Sequence, residues 1–372
     1  MFTNLKTGLL YRNPKPHVHS VHAYFPSVVR MDNGELLATL VLGEAFEAAN
    51  CCTHLARSRD NGETWQVEGR IYSGTRDRLT SDSSRIAALP GGEVVVFTVR
   101  HDRTDYPEEG LTNPVNVGFV PTELLLFRSD DYGHRWRGPA ILTPPLEGPS
   151  FELCSPITPL RDGRLILPTQ TWPGWDGRCP GGVRMVAFVS HDRGRTWPEY
   201  MDVMNETGKG KRTFFWESKI VEFSDGRLMA VAWVYDDVLH QDRPNHYAIS
   251  KDGGKTWAKP ASTGLTGQTL TPFLLDDNRI LSVYRRIDKP GLWVNLSHLE
   301  GDNWVNDSCE PLWGNQASGL TAGSENMSHN FNVLRFGAPC VTMLSDGTIF
   351  TAFWCYEDCV SVIRWFKFNL QE

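Results

Sequence analysis

The chain has 372 residues, 40% of them hydrophobic and 11% aromatic, with 13 Trp, 33 Gly and 23 Pro. That length is too great for one small core, and the composition is that of a soluble, turn-rich globular protein. The formal net charge of −7 excludes a broad nucleic-acid footprint, so an acidic ligand needs a local basic pocket.

The first ten residues carry no apolar core, and no apolar run of about 20 residues follows. A signal peptide and a membrane helix are therefore not expected, and a cytoplasmic location is. The eight cysteines are irregularly spaced and include no CxxC, which reads as free thiols in a reducing compartment. No phosphate loop, HExxH, GxSxG or EF-hand pattern occurs, and no metal or cofactor is expected. Asp102, Asp105, Glu108 and Glu109 form an acidic loop, of a kind that is more often solvated than Ca²⁺-bound.

In chain order, Gly8–Arg12 is a short apolar strand. A tight turn between apolar runs then appears at Met31–Leu37 and recurs at Leu89–Val95, Leu160–Ile166, Phe223–Met229, Leu275–Leu281 and Leu344–Phe350. Asp-Gly and its relatives between apolar runs are strong hairpin signals. Downstream of the first turn lies the octet Ser58-Arg59-Asp60-Asn61-Gly62-Glu63-Thr64-Trp65. It returns at 190–197 and 250–257, and more loosely at 129–136. In each copy Asp accepts backbone N–H groups, Gly supplies the positive φ and Trp anchors the return strand. A decayed copy keeps Ser297, Gly301 and Trp304.

Six hairpins at regular spacing, most followed by a second hairpin, define six four-stranded units. The predicted fold is all-β, a single-domain six-bladed β-propeller covering 1–372. The blades are expected at about 22–70, 82–140, 152–200, 214–260, 267–305 and 336–370, the N-terminal strand completing the last. The segments near 101–120 and 306–335 read as loops over one face.

These octets resemble the Asp-boxes, or BNR repeats, of the sialidase (neuraminidase) superfamily, and six blades is that family's count. The resemblance covers nearly the whole chain. It implies a carboxylate pair, a tyrosine nucleophile and three arginines gripping a sugar carboxylate. Tried position by position, Tyr24-Phe25-Pro26 stands where the family has Arg-Ile-Pro. Glu217 keeps the family's glutamate before the fourth hairpin. The second arginine falls near Trp233, and the third survives as Arg285 or Arg286. Phe336-Gly337-Ala338-Pro339 occupies the tyrosine's place, and the acid/base loop holds Glu44 and Glu47. The chain thus departs from true sialidases at two arginines and the nucleophile, which leaves a sugar substrate in view but not sialic acid in particular.

Strand ends ring the mouth of a propeller, and they supply the candidate site. Glu47, among apolar neighbours, suits a general acid, and Glu217 is the second carboxylate. Tyr284 is a candidate nucleophile or base whose pKa the adjacent arginines would lower. Alternation puts Tyr284 and Arg286 on one face of their strand and Arg285 on the other. The substrate-binding candidates are Tyr24, Arg85, His101, Trp172, Trp216, Gln268, Arg285, Arg286, Trp354 and Glu357, a mixture of aromatics and charged groups that suits a sugar. Glu357 and Asp236 stand in reserve as carboxylates, and His22 and His101 are acid/base candidates. Asp60, Asp192 and Asp252 belong to the scaffold. The leading reading is an exo-acting glycoside hydrolase on a terminal, possibly acidic, sugar of a glycan. The alternatives are a polysaccharide lyase acting on a uronate and a non-catalytic sugar-binding propeller.

Overall fold

Alternating apolar runs punctuated by Asp-Gly turns can only bury their apolar faces as stacked antiparallel sheets, and that is how the chain folds. The computed structural model describes residues 2–206, 212–317, 320, 327, 330 and 333–371. After β1 (Phe2–Tyr11), blade 1 comprises β2 (His22–Arg30), β3 (Leu36–Gly43), β4 (Cys52–Ser58) and β5 (Gln66–Arg70). Blade 2 comprises β6 (Thr80–Ala88), β7 (Val94–Asp102), β8 (Thr122–Ser129) and β9 (Arg137–Ile141). Blade 3 has a divided first strand, β10 (Ser150–Phe151) and β11 (Thr158–Pro159), then β12 (Leu165–Trp172), β13 (Met185–Ser190) and β14 (Glu199–Met204). Blade 4 is β15 (Thr213–Glu222), β16 (Leu228–Asp236), β17 (Gln241–Ser250) and β18 (Ala261–Ser262). Blade 5 is β19 (Gly267–Leu274), β20 (Ile280–Arg286), β21 (Leu292–Glu300) and β22 (Asn303–Trp313). Blade 6 is β23 (Phe336–Met343), β24 (Ile349–Glu357) and β25 (Val360–Leu370), closed by β1.

These six antiparallel sheets make the protein an all-β, six-bladed β-propeller. The last strand of blade 5, β22, runs on to Trp313. The N-terminal strand does complete blade 6, with Gly8 opposite Trp365. By contacts the chain divides into two compact units. One holds blades 1, 2 and 6, and the other holds blades 3, 4 and 5 together with 113–119.

Within each unit, neighbouring blades stack through their apolar faces. Met31 and Leu37 of blade 1 pack on Ile86, Val96 and Phe127 of blade 2. In the other unit Ile166, Met185 and Val189 of blade 3 meet Phe215, Ile220 and Val234 of blade 4. The octets behave as scaffold. In each copy a serine hydroxyl accepts the glycine N–H at 2.7–2.9 Å and donates to the aspartate. Asp192 accepts both the N–H of Thr196 at 2.9 Å and its hydroxyl at 2.7 Å.

One recurrent irregularity positions the chemistry. The first strands of blades 1, 4, 5 and 6 each carry a register shift where a non-glycine residue takes a positive φ: Phe25 (49°), Glu217 (50°), Thr269 (54°) and Ala338 (46°). Such bulges re-aim a side chain and free a backbone amide from the ladder. Only in blade 4 is the bulge residue a carboxylate.

Candidate functional site

Glu217 stands on the bulge of β15 between Trp216, still paired with Trp233, and Lys219, paired with Val231. At this shift the Glu217 N–H is met by Glu152. The amide donates to Glu152 Oε1 at 3.1 Å, while the Cys154 thiol donates to Glu152 Oε2 at 3.0 Å. Two residues earlier, Phe215 N–H donates to the side-chain oxygen of Gln170. Blade 3 therefore accepts two amides of blade 4, those of Phe215 and Glu217.

Glu152 lies in the gap between β10 and β11. Its backbone is pinned to β12, its N–H to Gln170 O at 3.0 Å and its carbonyl to the Thr169 hydroxyl at 2.8 Å. By exposed area the residue is only half-buried, yet protein surrounds its carboxyl densely. Burial first, then the Glu217 charge, push its pKa up to about 8. Cys154, fully buried beside it, is raised well above the usual thiol range by burial. Lys219 Nζ donates to the Glu217 carbonyl at 2.7 Å and sits 3.6 Å from its carboxylate, where both side chains are mostly buried.

The same unit holds a buried arginine. Arg285, 4% exposed, directs Nε at 3.0 Å and Nη2 onto Gln268 Oε1. Gln268 Nε2 passes the contact on to Asp242 Oδ2 at 2.8 Å, and Asp242 also accepts the Trp233 indole N–H. Burial lowers the Arg285 pKa to about 10 against the opposing pull of Asp242 and Glu217. The guanidinium still carries full charge at neutral pH. Burial raises Asp242.

The alternation read for β20 holds. Tyr284 OH lies 3.4 Å from Cys309 Sγ and Arg286 reaches the same sulfur, while Arg285 turns to Gln268. The expected electronics of Tyr284 do not hold. It is 1% exposed, and burial followed by the Cys309 contact raises its pKa instead of lowering it. Arg286 is committed to Asp288, with Nε at 2.8 Å, and lies 4.6 Å over the Trp293 ring.

The aromatic candidates are core residues. Trp172 and Trp216 stack at 5.5 Å, and Trp216 stacks on Tyr235 at 5.0 Å. Trp172 and Trp216 are 4% and 1% exposed, and Trp354 is 1% exposed, so none offers a ring face to a sugar in this conformation. Tyr24 is fully buried, its hydroxyl 2.8 Å from that of Tyr356 and its ring edge-on to Trp354 at 5.3 Å.

In its own unit Glu47 turns through a positive φ of 60°. Its Oε2 accepts the Leu111 N–H at 2.9 Å, and its carbonyl accepts Arg103 Nη1 at 2.7 Å. Burial raises the Glu47 pKa, with Leu111 and Arg103 pulling it back. Arg103, fully buried, also donates to the Glu109 carbonyl. Sequence reading missed this clamp. His101 is buried, and desolvation with Arg103 nearby pushes its pKa down to about 3, so it stays neutral at working pH. Held neutral in this way, His101 is poorly suited to the acid/base role read from the sequence. Arg85 is buried and donates to the Ser84 carbonyl at 3.2 Å. Glu357 is paired with Arg364, which donates to Oε2 at 2.9 Å and holds its carboxyl below the usual range. Asp102 of the acidic loop is paired with Arg78 at 3.1 Å. Among the described residues no group of three His, Cys, Asp or Glu is placed to hold a metal. All eight cysteines are free thiols. No described helix is long and apolar enough to cross a membrane.

The fold and its repeats define an Asp-box propeller. A BNR repeat-like domain matches residues 86–305, more than half of the chain, and the protein belongs to that family. It is similar in structure to a protein of unknown function from Dyadobacter fermentans, at a TM-score of 0.73 and 19% identity over 99% of both chains. It is also similar to Trypanosoma rangeli sialidase in complex with sialic acid, at 0.68 and 14%, covering 98% of this chain and 59% of that one. The NanB sialidase of Streptococcus pneumoniae follows at 0.66 and 12%, covering 98% and 70%. The chain thus spans about three fifths of the trypanosomal enzyme's length. At these identities the likeness is one of fold, sialidase-like throughout. No curated protein sequence matches the chain.

Proposed function

We propose that the protein is an exo-acting glycoside hydrolase that removes a terminal acidic sugar from a glycan, with Glu217 as its central carboxylate. The observation that carries this reading is the bulge in β15, where a glutamate is held at a φ of 50°. A strained backbone persists where the surroundings over-determine it, and it commonly does so at working sites. Here those surroundings are a second carboxyl, a lysine and, sensing the Glu217 charge, a buried arginine.

Glycoside cleavage develops positive charge at the anomeric carbon, which a carboxylate stabilises or attacks, and it needs a proton for the leaving oxygen. Glu217 fills the first role. The second role calls for a group that holds its proton near neutral pH. Arg285, buried and held by Gln268, contributes positive charge that favours an acidic sugar near Glu217. Tyr284, kept protonated by burial, takes no nucleophilic part.

The test is sugar release from chromogenic glycosides that include a sialoside and a uronide. Hydrolysis yields reducing sugar without an ultraviolet-absorbing product. An unsaturated, absorbing product assigns a lyase instead, and affinity for a sugar without turnover assigns a binding propeller.

A further inference from the structure

The Glu152 carboxyl has no place in the hydrolytic reading, yet it is built into the one bulge that reading depends on. A bulge residue at positive φ needs its freed amide satisfied, because a buried unpaired N–H pays its full desolvation penalty. In β15 the amide has a partner on blade 3. It is Glu152 Oε1, brought from the neighbouring blade by the break between β10 and β11. Glu152 is in turn fixed by Gln170 and Thr169 on its backbone and by Cys154 on its other oxygen.

We propose that Glu152 is the positioning residue of Glu217: its carboxyl takes the amide that the bulge frees and so fixes the direction in which Glu217 leaves the strand. The inference rests on the catalytic role proposed for Glu217. It has a second consequence. The groups facing Glu152 are the Cys154 thiol, Glu217 and Lys219, with Arg285 beyond Glu217. A protonated Glu152 leaves Glu217 beside Lys219 without a competing anion. Once Glu152 loses its proton, two carboxylates share one lysine, and the site loses its resting geometry. Activity therefore falls on the alkaline side as Glu152 ionises.

Glu152→Gln and Glu152→Ala in the full chain separate position from charge. Gln keeps an oxygen for the Glu217 amide and cannot ionise; Ala does neither. Circular dichroism and thermal unfolding establish that both variants fold. Hydrogen exchange at the Glu217 amide is expected to stay slow in the wild type and in E152Q and to become fast in E152A. With a cleavable glycoside, E152A should lose kcat on the order of 100-fold with KM little changed. E152Q should keep most of kcat and lose the alkaline limb of the pH profile. Slow exchange at Glu217 in E152A, or an alkaline limb that survives in E152Q, overturns the proposal. If the wild type cleaves no glycoside the hydrolase reading fails, and the exchange measurement still decides whether Glu152 holds the bulge.

Discussion

The amide of Glu217 and the carboxyl of Glu152 meet at 3.1 Å, across two neighbouring blades. Two carboxyl groups so placed resist ionising together, and the Glu217 charge is the second cause, after burial, of the raised Glu152 pKa. Glu217→Gln removes that charge and should move the Glu152 titration down toward the ordinary carboxyl range. Infrared titration of E217Q against wild type, with E152Q assigning the band, reads the shift. An unmoved band would mean the two carboxyls do not sense one another.

Arg285 is the cation whose loss should be felt in both folding and binding. Its guanidinium offsets Asp242 through Gln268, so Arg285→Ala leaves a buried carboxyl network short of its positive member. A destabilisation on the order of 3–5 kcal/mol is expected in denaturant unfolding. Arg285→Lys keeps the charge but loses the fork and should raise KM for an acidic glycoside on the order of tenfold, with kcat less affected. An unchanged KM would remove Arg285 from substrate binding.

The blades were legible because their signals are local. Phe223–Met229 announces a turn by its own chemistry, and in the fold Gly226 takes a φ of 87° there while Phe223 N–H reaches the Arg227 carbonyl. The strand phase of Tyr284, Arg285 and Arg286 was legible for the same reason. The site was legible only in part. Glu217 was visible as a carboxylate at a strand entry, but the bulge that aims it is stabilised from blade 3. Glu152 sits in Phe151-Glu152-Leu153-Cys154, which carries no turn or motif signal. Trp172, Trp216 and Trp354 are substrate-binding candidates in sequence, which shows where an aromatic lies along a strand but not whether a neighbouring strand covers it. The same holds for Tyr284: an adjacent arginine is visible in sequence, whereas the desolvation that outweighs it is not.

His101 gives a pH dependence opposite in sign to that of a raised carboxyl. Its folded pKa, about 3, lies below its ordinary 6.5. The unfolded chain therefore binds a proton that the native state refuses, and the stability it contributes is present above about 6.5 and lost as pH falls toward 3. His101→Asn should flatten the acid-side fall in Tm over that window. It should also leave any rate limb near neutrality in place. A histidine-like limb that vanishes in H101N would contradict the buried, neutral assignment.

Arg103 holds the Glu47 loop through two carbonyls, those of Glu47 and Glu109, from a fully buried position. Arg103→Met should destabilise the protein on the order of 3 kcal/mol, as buried charge-assisted hydrogen bonds are lost. Residues 44–50 should then exchange and proteolyse faster. A loop as protected as in wild type would show that the clamp is dispensable.

The central claim is that Glu217 is the reacting carboxylate of a glycoside hydrolase. Its most direct test is kcat/KM for release of sugar from an acidic chromogenic glycoside by wild type and E217Q, side by side with their Tm values. The account predicts turnover by the wild type, a loss on the order of 100-fold or more in E217Q, and a nearly unchanged Tm. Undiminished turnover in E217Q would contradict it.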